Sequence, residues 1–309
     1  MLGLFAGTLY IIGTIFSSMA LVSVETGDDR RLVARRALEA VLEGDILSRL
    51  KIAKSILIKP EAAHREYSLA TTQVETLRGV IDVIRKFTGA PILIADASEY
   101  GARAVFAAQD YLSLKAFYTD ITFVDWAEMP FKEVTLTLGD QAWQVRRPII
   151  TADLTISLAV LKTHRMYGAK LGVASWAEST WLPPKRRIGA EDYLAREPWF
   201  EAAGPAGSQA MIATLYAGEP CQLTLIDGIL GMEGDGPLRG SIVTMGLMIA
   251  GQDPLLADTV ALALMGRDAA AMPYLVDLSR RGLGSINLRD ANLPTSLFVE
   301  RTKDFKFPV

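Results

Sequence analysis

Lys162-Thr-His164 and Tyr167-Gly-Ala-Lys170 bring two ammonium groups and an imidazole within nine positions, just after the apolar run Leu154-Thr-Ile-Ser-Leu158. Lys59 closes another apolar run, Ser55-Ile-Leu-Ile58, and can converge on them if the two runs are neighbouring strands. Gathered cations clamp a carboxylate or phosphate, and a lysine crowded by other cations titrates low enough to act as a base or form an imine. Lys162, His164 and Lys170 are therefore the candidate catalytic residues, with His164 as acid/base, and Lys59 is a candidate substrate contact. His164 beside Lys162 and Arg165 is expected to be neutral near pH 7. For any one of these residues the default reading is a solvated or structural side chain. Three basic groups after one apolar run tip the balance toward a site.

A second chemistry-bearing stretch is Asp227-Gly-Ile-Leu-Gly-Met-Glu-Gly-Asp-Gly-Pro237, which follows Leu223-Thr-Leu-Ile226 with four glycines and three carboxylates. Its composition predicts a functional loop at a sheet's carboxyl edge. Gly234 and Gly236 let backbone approach a ligand. Asp227 and Glu233, joined by Asp253, are candidate oxygen ligands for a divalent cation such as Mg²⁺. The spacing lacks the alternating ligands of a calcium loop. A tight turn in which Asp227 accepts backbone N–H bonds fits it equally well. Asp253 before Pro254 reads first as a helix N-cap. Thr71 and Thr72 read as a cap and then as a phosphate contact. Glu99 sits in the loop Asp96-Ala-Ser-Glu-Tyr-Gly101, again after an apolar run, and is a candidate substrate contact. The sequence has no phosphate-loop lysine motif, nucleophile elbow or two-histidine zinc helix.

These residues need a frame. Short continuous apolar runs at 20–24, 55–58, 91–95, 121–124, 154–158, 223–226 and 243–250 alternate with helical patterns at 28–42, 71–86, 254–265 and 272–281. That alternation predicts an α/β fold with a mainly parallel sheet covered by helices on both faces. Val134–Leu138 and Ala142–Val145 around Gly139-Asp140 predict a small hairpin insertion. Residues 176–207 carry no clear periodicity and read as a long irregular excursion with some helix. The expected organisation is a hydrophobic extension at 1–18, one α/β domain over 19–290 and a tail at 291–309.

Bulk composition narrows the function classes. The chain has 309 residues, half of them hydrophobic, and a formal net charge of -3. It can bury a sizeable core, and its charge speaks against general nucleic-acid binding. One cysteine, Cys221, and two histidines exclude a cysteine-held iron–sulfur cluster and a three-histidine metal site. Residues 1–24 carry no charge, long enough for a membrane span of about 20 residues. A secretory signal, a membrane anchor and a true start at Met19 compete. The start at Met19 is favoured, because a strand at 20–24 serves the fold, and a cytoplasmic protein follows. The expected partner is a small anionic molecule. Membrane contact arises only if 1–24 act as an anchor, and a homo-oligomer stays open.

Taken in order, Ile56-Leu-Ile-Lys-Pro60, Thr71-Thr72, Ala152-Asp153 leading to Leu161-Lys-Thr-His164, Lys170, Asp227–Pro237, and Ala250-Gly-Gln-Asp-Pro254 through Asp258 to Gly266 resemble the family catalogued as domain of unknown function 362. The resemblance spans about residues 20 to 285. Many such relatives carry a ferredoxin-like iron–sulfur module, which implies a redox role that this chain, without a cysteine cluster, does not inherit. The resemblance also implies Asn after Lys-Pro, where this chain has Glu61, and Asn after Lys170, where it has Leu171. The expected function is an enzyme acting on a small carboxylate or phosphate through the Lys/His clamp and acidic loop. The alternatives are a non-catalytic binding or sensor protein, or the partner of a separate iron–sulfur subunit.

Overall fold

The computed structural model describes residues 21–98, 101–179 and 197–308. β1 (Val22–Thr26) leads into α1 (Arg30–Val41) and α2 (Gly44–Ile52). An alternating run follows: β2 (Ile56–Pro60), α3 (Val74–Phe87), β3 (Ile92–Asp96), α4 (Ala102–Ala108) and β4 (Ile121–Asp125). The hairpin β5 (Phe131–Leu138) and β6 (Gln141–Pro148) precedes β7 (Leu154–His164), its short return β8 (Gly168–Lys170) and α5 (Gly172–Ala177). After α6 (Glu197–Gly218) come β9 (Leu223–Glu233), β10 (Ser241–Gly251), α7 (Pro254–Leu264), α8 (Pro273–Arg280) and α9 (Thr295–Arg301).

The main sheet has the order β1-β10-β9-β7-β2-β3-β4, with β8 paired to the end of β7. From β9 to β4 all neighbours are parallel, while β10 and β1 are added antiparallel at the other edge. The α/β class stands, and the sheet is mixed at one side. Residues 234–240, which join β9 to β10, are too few for a parallel crossover, so β10 must fold straight back. β5 and β6 form their own two-stranded sheet, as the alternation around Gly139-Asp140 predicts.

Alternate side chains along the strands build two cores. Ile56, Ile58, Ile92, Ile94, Leu158 and Leu225 face α1 and α3. Leu57, Ala159, Leu161 and Ile226 face α5, α7 and α8 on the other side. Caps fix the helix starts: Asp29 accepts from Leu32 N at 3.0 Å, and Asp253 accepts from Leu255 N and Leu256 N at 3.0 and 3.1 Å.

Several expectations change. The acidic glycine stretch predicted as a loop is strand β9 as far as Glu233, and only Gly234 onward turns. Its glycines serve close packing: a Cβ on Gly231 would stand 2.8 Å from Leu161 Cδ2 and 3.1 Å from Leu161 O. β7, by contrast, ends where the sequence reading placed the end of that run, near Lys162-Thr-His164, and all eleven of its residues are buried. Thr71 and Thr72 precede the cap of α3, which is Gln73. α2, with only Ile46 and Leu50 buried, has too narrow an apolar stripe to have been read from the sequence. The segment set apart as a tail is tied to the body, with Phe305 in the core and Lys303 N donating to Leu264 O at 2.9 Å. The helix expected within the 176–207 excursion is present at both its ends, while 180–196 lie outside the described residues, as do 1–20.

Candidate functional site

The chain winds outward from β2 to β3 and β4, then returns to β2's other side with β7 and continues to β9. The strand order therefore reverses between β2 and β7. Open α/β sheets bind ligands at the carboxyl ends of their strands at such a reversal. Lys59 lies in β2 beside Ser157 of β7, and Lys162 and His164 lie at the far end of β7. β8 folds back so that Lys170 pairs directly with Lys162. The three lysines named from sequence are thus brought to one place, and all three are buried.

Glu61 joins them. Its Oε1 stands 2.8 Å from Lys170 Nζ and 3.3 Å from Lys162 Nζ, and its Oε2 accepts from Ser175 Oγ at 2.8 Å. Lys59 Nζ donates to Ser175 Oγ at 3.1 Å and lies 3.3 Å from Asp96 Oδ1. Lys162 Nζ also donates to Ala70 O at 2.7 Å. Glu178, just past α5, pairs with Lys170 and accepts from the Tyr167 hydroxyl. The His164 ring stacks on Tyr167 with centroids 3.7 Å apart and planes at 13°. Ammonium groups of Lys59, Lys162 and Lys170 are thus set against carboxylates of Glu61, Asp96 and Glu178.

Burial dominates the electrostatics. It lowers Lys162 to about 8, partly offset by Glu61. It lowers His164 to about 3, so the imidazole is neutral and weakly basic, with Nδ1 accepting from Met166 N at 3.2 Å. The sequence implied neighbouring cations as the cause, but desolvation is the larger one. Burial also opposes the charge on Glu61, yet Lys162, Lys170 and Lys59 outweigh it and hold the carboxyl well below its usual range. Tyr167 is pushed up by burial and by Glu178. Of the two groups, Lys162 and not His164 lies close to neutral pH.

The other predicted residues go elsewhere. Thr72 Oγ1 accepts from Glu61 N at 2.8 Å and donates to Leu158 O at 2.9 Å, so it ties the site's backbone together. Thr71 Oγ1 accepts from His64 N at 3.2 Å in the turn above. Asp227 accepts from Arg30 Nε at 3.1 Å, Thr76 Oγ1 at 2.6 Å and Ile229 N at 3.0 Å. With Arg30, Thr71 and Gln73 it lines a cavity of about 140 Å³ on the α1–α3 side. Glu233 accepts from Lys306 N at 3.0 Å, and Gly234 N donates to Lys306 O at 2.6 Å. Gly236 presses on β7, where a Cβ would stand 2.0 Å from Thr163 O. Asp253 caps α7 and accepts from Ser285 N at 2.8 Å. The three carboxylates proposed for a cation are thus each engaged separately. Among the described residues no three His, Cys, Asp or Glu side chains are grouped to hold a metal ion. Glu99 lies outside the described residues.

Sequence reasoning missed Ser175, Glu178 and the central part of Glu61. Glu61 had a signal, being a carboxylate where the resemblance implies an amide. Ser175 lay just before, and Glu178 just inside, a stretch without periodicity. Asp258, in α7, is fully buried. It accepts from Gly172 N and Val173 N at 2.8 and 3.1 Å, and so pins the start of α5, with burial raising its carboxyl to about 8.

The family model Domain of unknown function (DUF362) matches residues 56–263, two thirds of the chain and every residue of the switch-point network. The chain belongs to this family. It is also similar to a thylakoid-associated protein of Synechocystis, 25% identical over 274 residues, covering 86% of this chain and 80% of that protein. Among solved structures it is similar to the lactate racemase apoprotein from Thermoanaerobacterium thermosaccharolyticum, with a TM-score of 0.43 and 14% identity. That match covers 75% of this chain and 54% of the other. Among the described residues no helix is long and apolar enough to cross a membrane.

Proposed function

We propose that the chain is an enzyme that takes a small carboxylate- or phosphate-bearing metabolite at the carboxyl ends of β2 and β7 and moves a proton on it with Lys162. The observation that carries this reading is the buried Lys59–Lys162–Lys170 network at the reversal of strand order. Six ionisable groups in a buried site are costly, and apolar residues of similar volume would serve the fold as well or better. Perturbed ionisable groups gathered at a reversal of strand order are candidates for a functional site.

The resting network is balanced in charge, so the ligand anion binds by exchange, taking the place of Glu178 on Lys170 and Tyr167. Lys162, lowered to about 8, has a neutral fraction at physiological pH that can accept a proton. The ammonium formed is held by Glu61 and by Ala70 O. His164, neutral and stacked, orients Tyr167 and the ligand.

The test is solvent deuterium incorporation into a panel of 2-hydroxy acids, 2-oxo acids and phosphorylated small acids, read by NMR. Exchange that rises with pH through about 8 and drops by at least about 100-fold in Lys162→Met is expected. Glu233→Gln, remote from the network, should keep it. Equal exchange in Lys162→Met and wild type rejects the reading.

A further inference from the structure

The α1–α3 side of the sheet carries a second site, separate from the switch-point lysines. Val160 of β7 and Asp227 of β9 are paired neighbours, and both line the cavity of about 140 Å³. Leu230 and Ile242, from the β9–β10 pair, form one wall, and the chain from Ser68 to Gln73 forms another. Arg30, at the start of α1, stands against Asp227. Lys59, Lys162 and Lys170 are not among the lining residues. An apolar cavity of about 150 Å³ accommodates benzene, so this one has room for about six non-hydrogen atoms.

The two charged groups of the lining differ in what they leave open. Asp227 accepts from Arg30 Nε at 3.1 Å, Thr76 Oγ1 at 2.6 Å and Ile229 N at 3.0 Å, and its side chain is only 3% exposed. Arg30 uses Nε alone for that contact, and its two terminal amino groups have no hydrogen-bond partner among the described residues. Its side chain is 22% exposed, so those donors are open to a ligand. Asp227 thus holds the guanidinium at the cavity with its terminal fork unused, and Ser68 adds a hydroxyl to the lining. Gln73 Nε2 is committed to Ser68 O and Thr71 O at 2.6 and 3.1 Å. Two parallel guanidinium N–H groups match the planar head of a carboxylate. A phosphate dianion fits less well, because its second charge would meet no further cation in the lining. Leu69, Val160, Leu230 and Ile242 make the rest of the surface apolar, which suits a short hydrocarbon chain.

We infer that this cavity binds a short-chain monocarboxylate, its head on the terminal amino groups of Arg30 and its alkyl chain against Leu69, Val160, Leu230 and Ile242. The wall from Ser68 to Gln73 also supports the switch-point network: Ala70 O accepts from Lys162 Nζ at 2.7 Å, and Thr72 Oγ1 accepts from Glu61 N at 2.8 Å. An occupant therefore rests on the stretch of chain that holds both residues.

Butyrate is the probe of matching size. Butanol keeps its chain without the charge, butylammonium reverses the charge, and inorganic phosphate keeps an anion without the chain. Binding to the full chain is measured by ligand-observed NMR titration. Butyrate is expected to saturate one site, and the other three to bind at least about tenfold more weakly. Propionate and acetate should each lose about two- to fourfold per methylene removed. The charge-balanced pair Arg30→Met with Asp227→Asn should abolish butyrate binding. Ile242→Asp and Ile242→Lys differ only in the sign of a charge at an exposed rim position, so both keep the fold. At low salt the Lys variant should bind butyrate at least about threefold more tightly than the Asp variant. Absence of saturable butyrate binding overturns the proposal, as does phosphate as the tighter ligand or equal affinity of the two Ile242 variants. Butyrate binding that survives the Arg30 and Asp227 pair but is lost in Lys162→Met would place the carboxylate at the switch point and equally overturn it. No turnover enters these measurements, so their outcome is independent of the deuterium exchange.

Discussion

At the scale of single residues, Glu61 decides how the site behaves. Its carboxylate contacts Lys162 and Lys170 and receives Ser175, so both buried lysines have a carboxylate partner. Glu61→Asn leaves an excess cation, and breaking a buried pair in this way costs about 3–5 kcal/mol. The same change should make a small anion more protective: the thermal midpoint of Glu61→Asn is expected to rise more steeply with added phosphate than that of wild type. An equal or smaller rise would show that the lysines are not offered to anions. Lys162 makes a separate, signed prediction. Its folded-state value of about 8 is depressed from 10.5, so the native state binds fewer protons than the unfolded chain between those limits. Stability contributed by this residue therefore increases as pH rises from about 8 to 10.5. Over that window the gain is on the order of 3 kcal/mol. Urea denaturation at both ends of the window should show the gain in wild type, and Lys162→Met should lack it relative to wild type.

At the scale of elements, the acidic glycine segment shows what the sequence could and could not say. Four glycines among carboxylates read locally as a loop, yet Asp227 to Glu233 continue β9, and the glycines answer to neighbours more than to turns. Leu161 lies against Gly231, and Thr163 O lies against Gly236. Such contacts are set by which strand comes to lie alongside, and that information is absent from the segment itself. The alternating runs of β2, β3, β4 and β7 were legible because burial on both faces writes itself into consecutive apolar residues. A pair of substitutions separates the two uses of glycine. Gly234 has φ 78° with open space around a built Cβ, so Gly234→Ala should cost about 1–2 kcal/mol from the left-handed backbone alone. Gly236→Ala instead drives a methyl into the backbone of Thr163 and must push the turn off β7. It is expected to cost more than about 3 kcal/mol, read as a lower urea midpoint. If the two variants lose equal stability, the packing account of the turn is wrong.

At the scale of the molecule, strand order creates the site. Lys59 and Lys162 are 103 positions apart, and no local pattern says that β7 inserts beside β2 while β3 and β4 extend the other way. The convergence of the lysines was legible as a conditional, dependent on adjacency, and the sheet order supplies that condition. The same order leaves β1 at an edge, where it closes the antiparallel side of the sheet. Five residue pairs join β1 to β10, and Gln252 N donates to Leu21 O at 2.8 Å just beyond them. Val22 is buried, and Ser23 Oγ reaches Ala37 O at 2.7 Å, so β1 also anchors α1 to the sheet. Arg30 at the start of α1 is in turn the partner of Asp227 in β9. Deleting the chain through Gly27 would expose the hydrogen-bonding edge of β10 along Leu247–Gly251 and loosen α1 from the β9 side. An unpaired apolar edge recruits other chains. The deletion is therefore expected to lower the thermal midpoint and to produce concentration-dependent oligomers by light scattering. A monomeric deletion variant with an unchanged midpoint would mean that the sheet is closed by something other than β1.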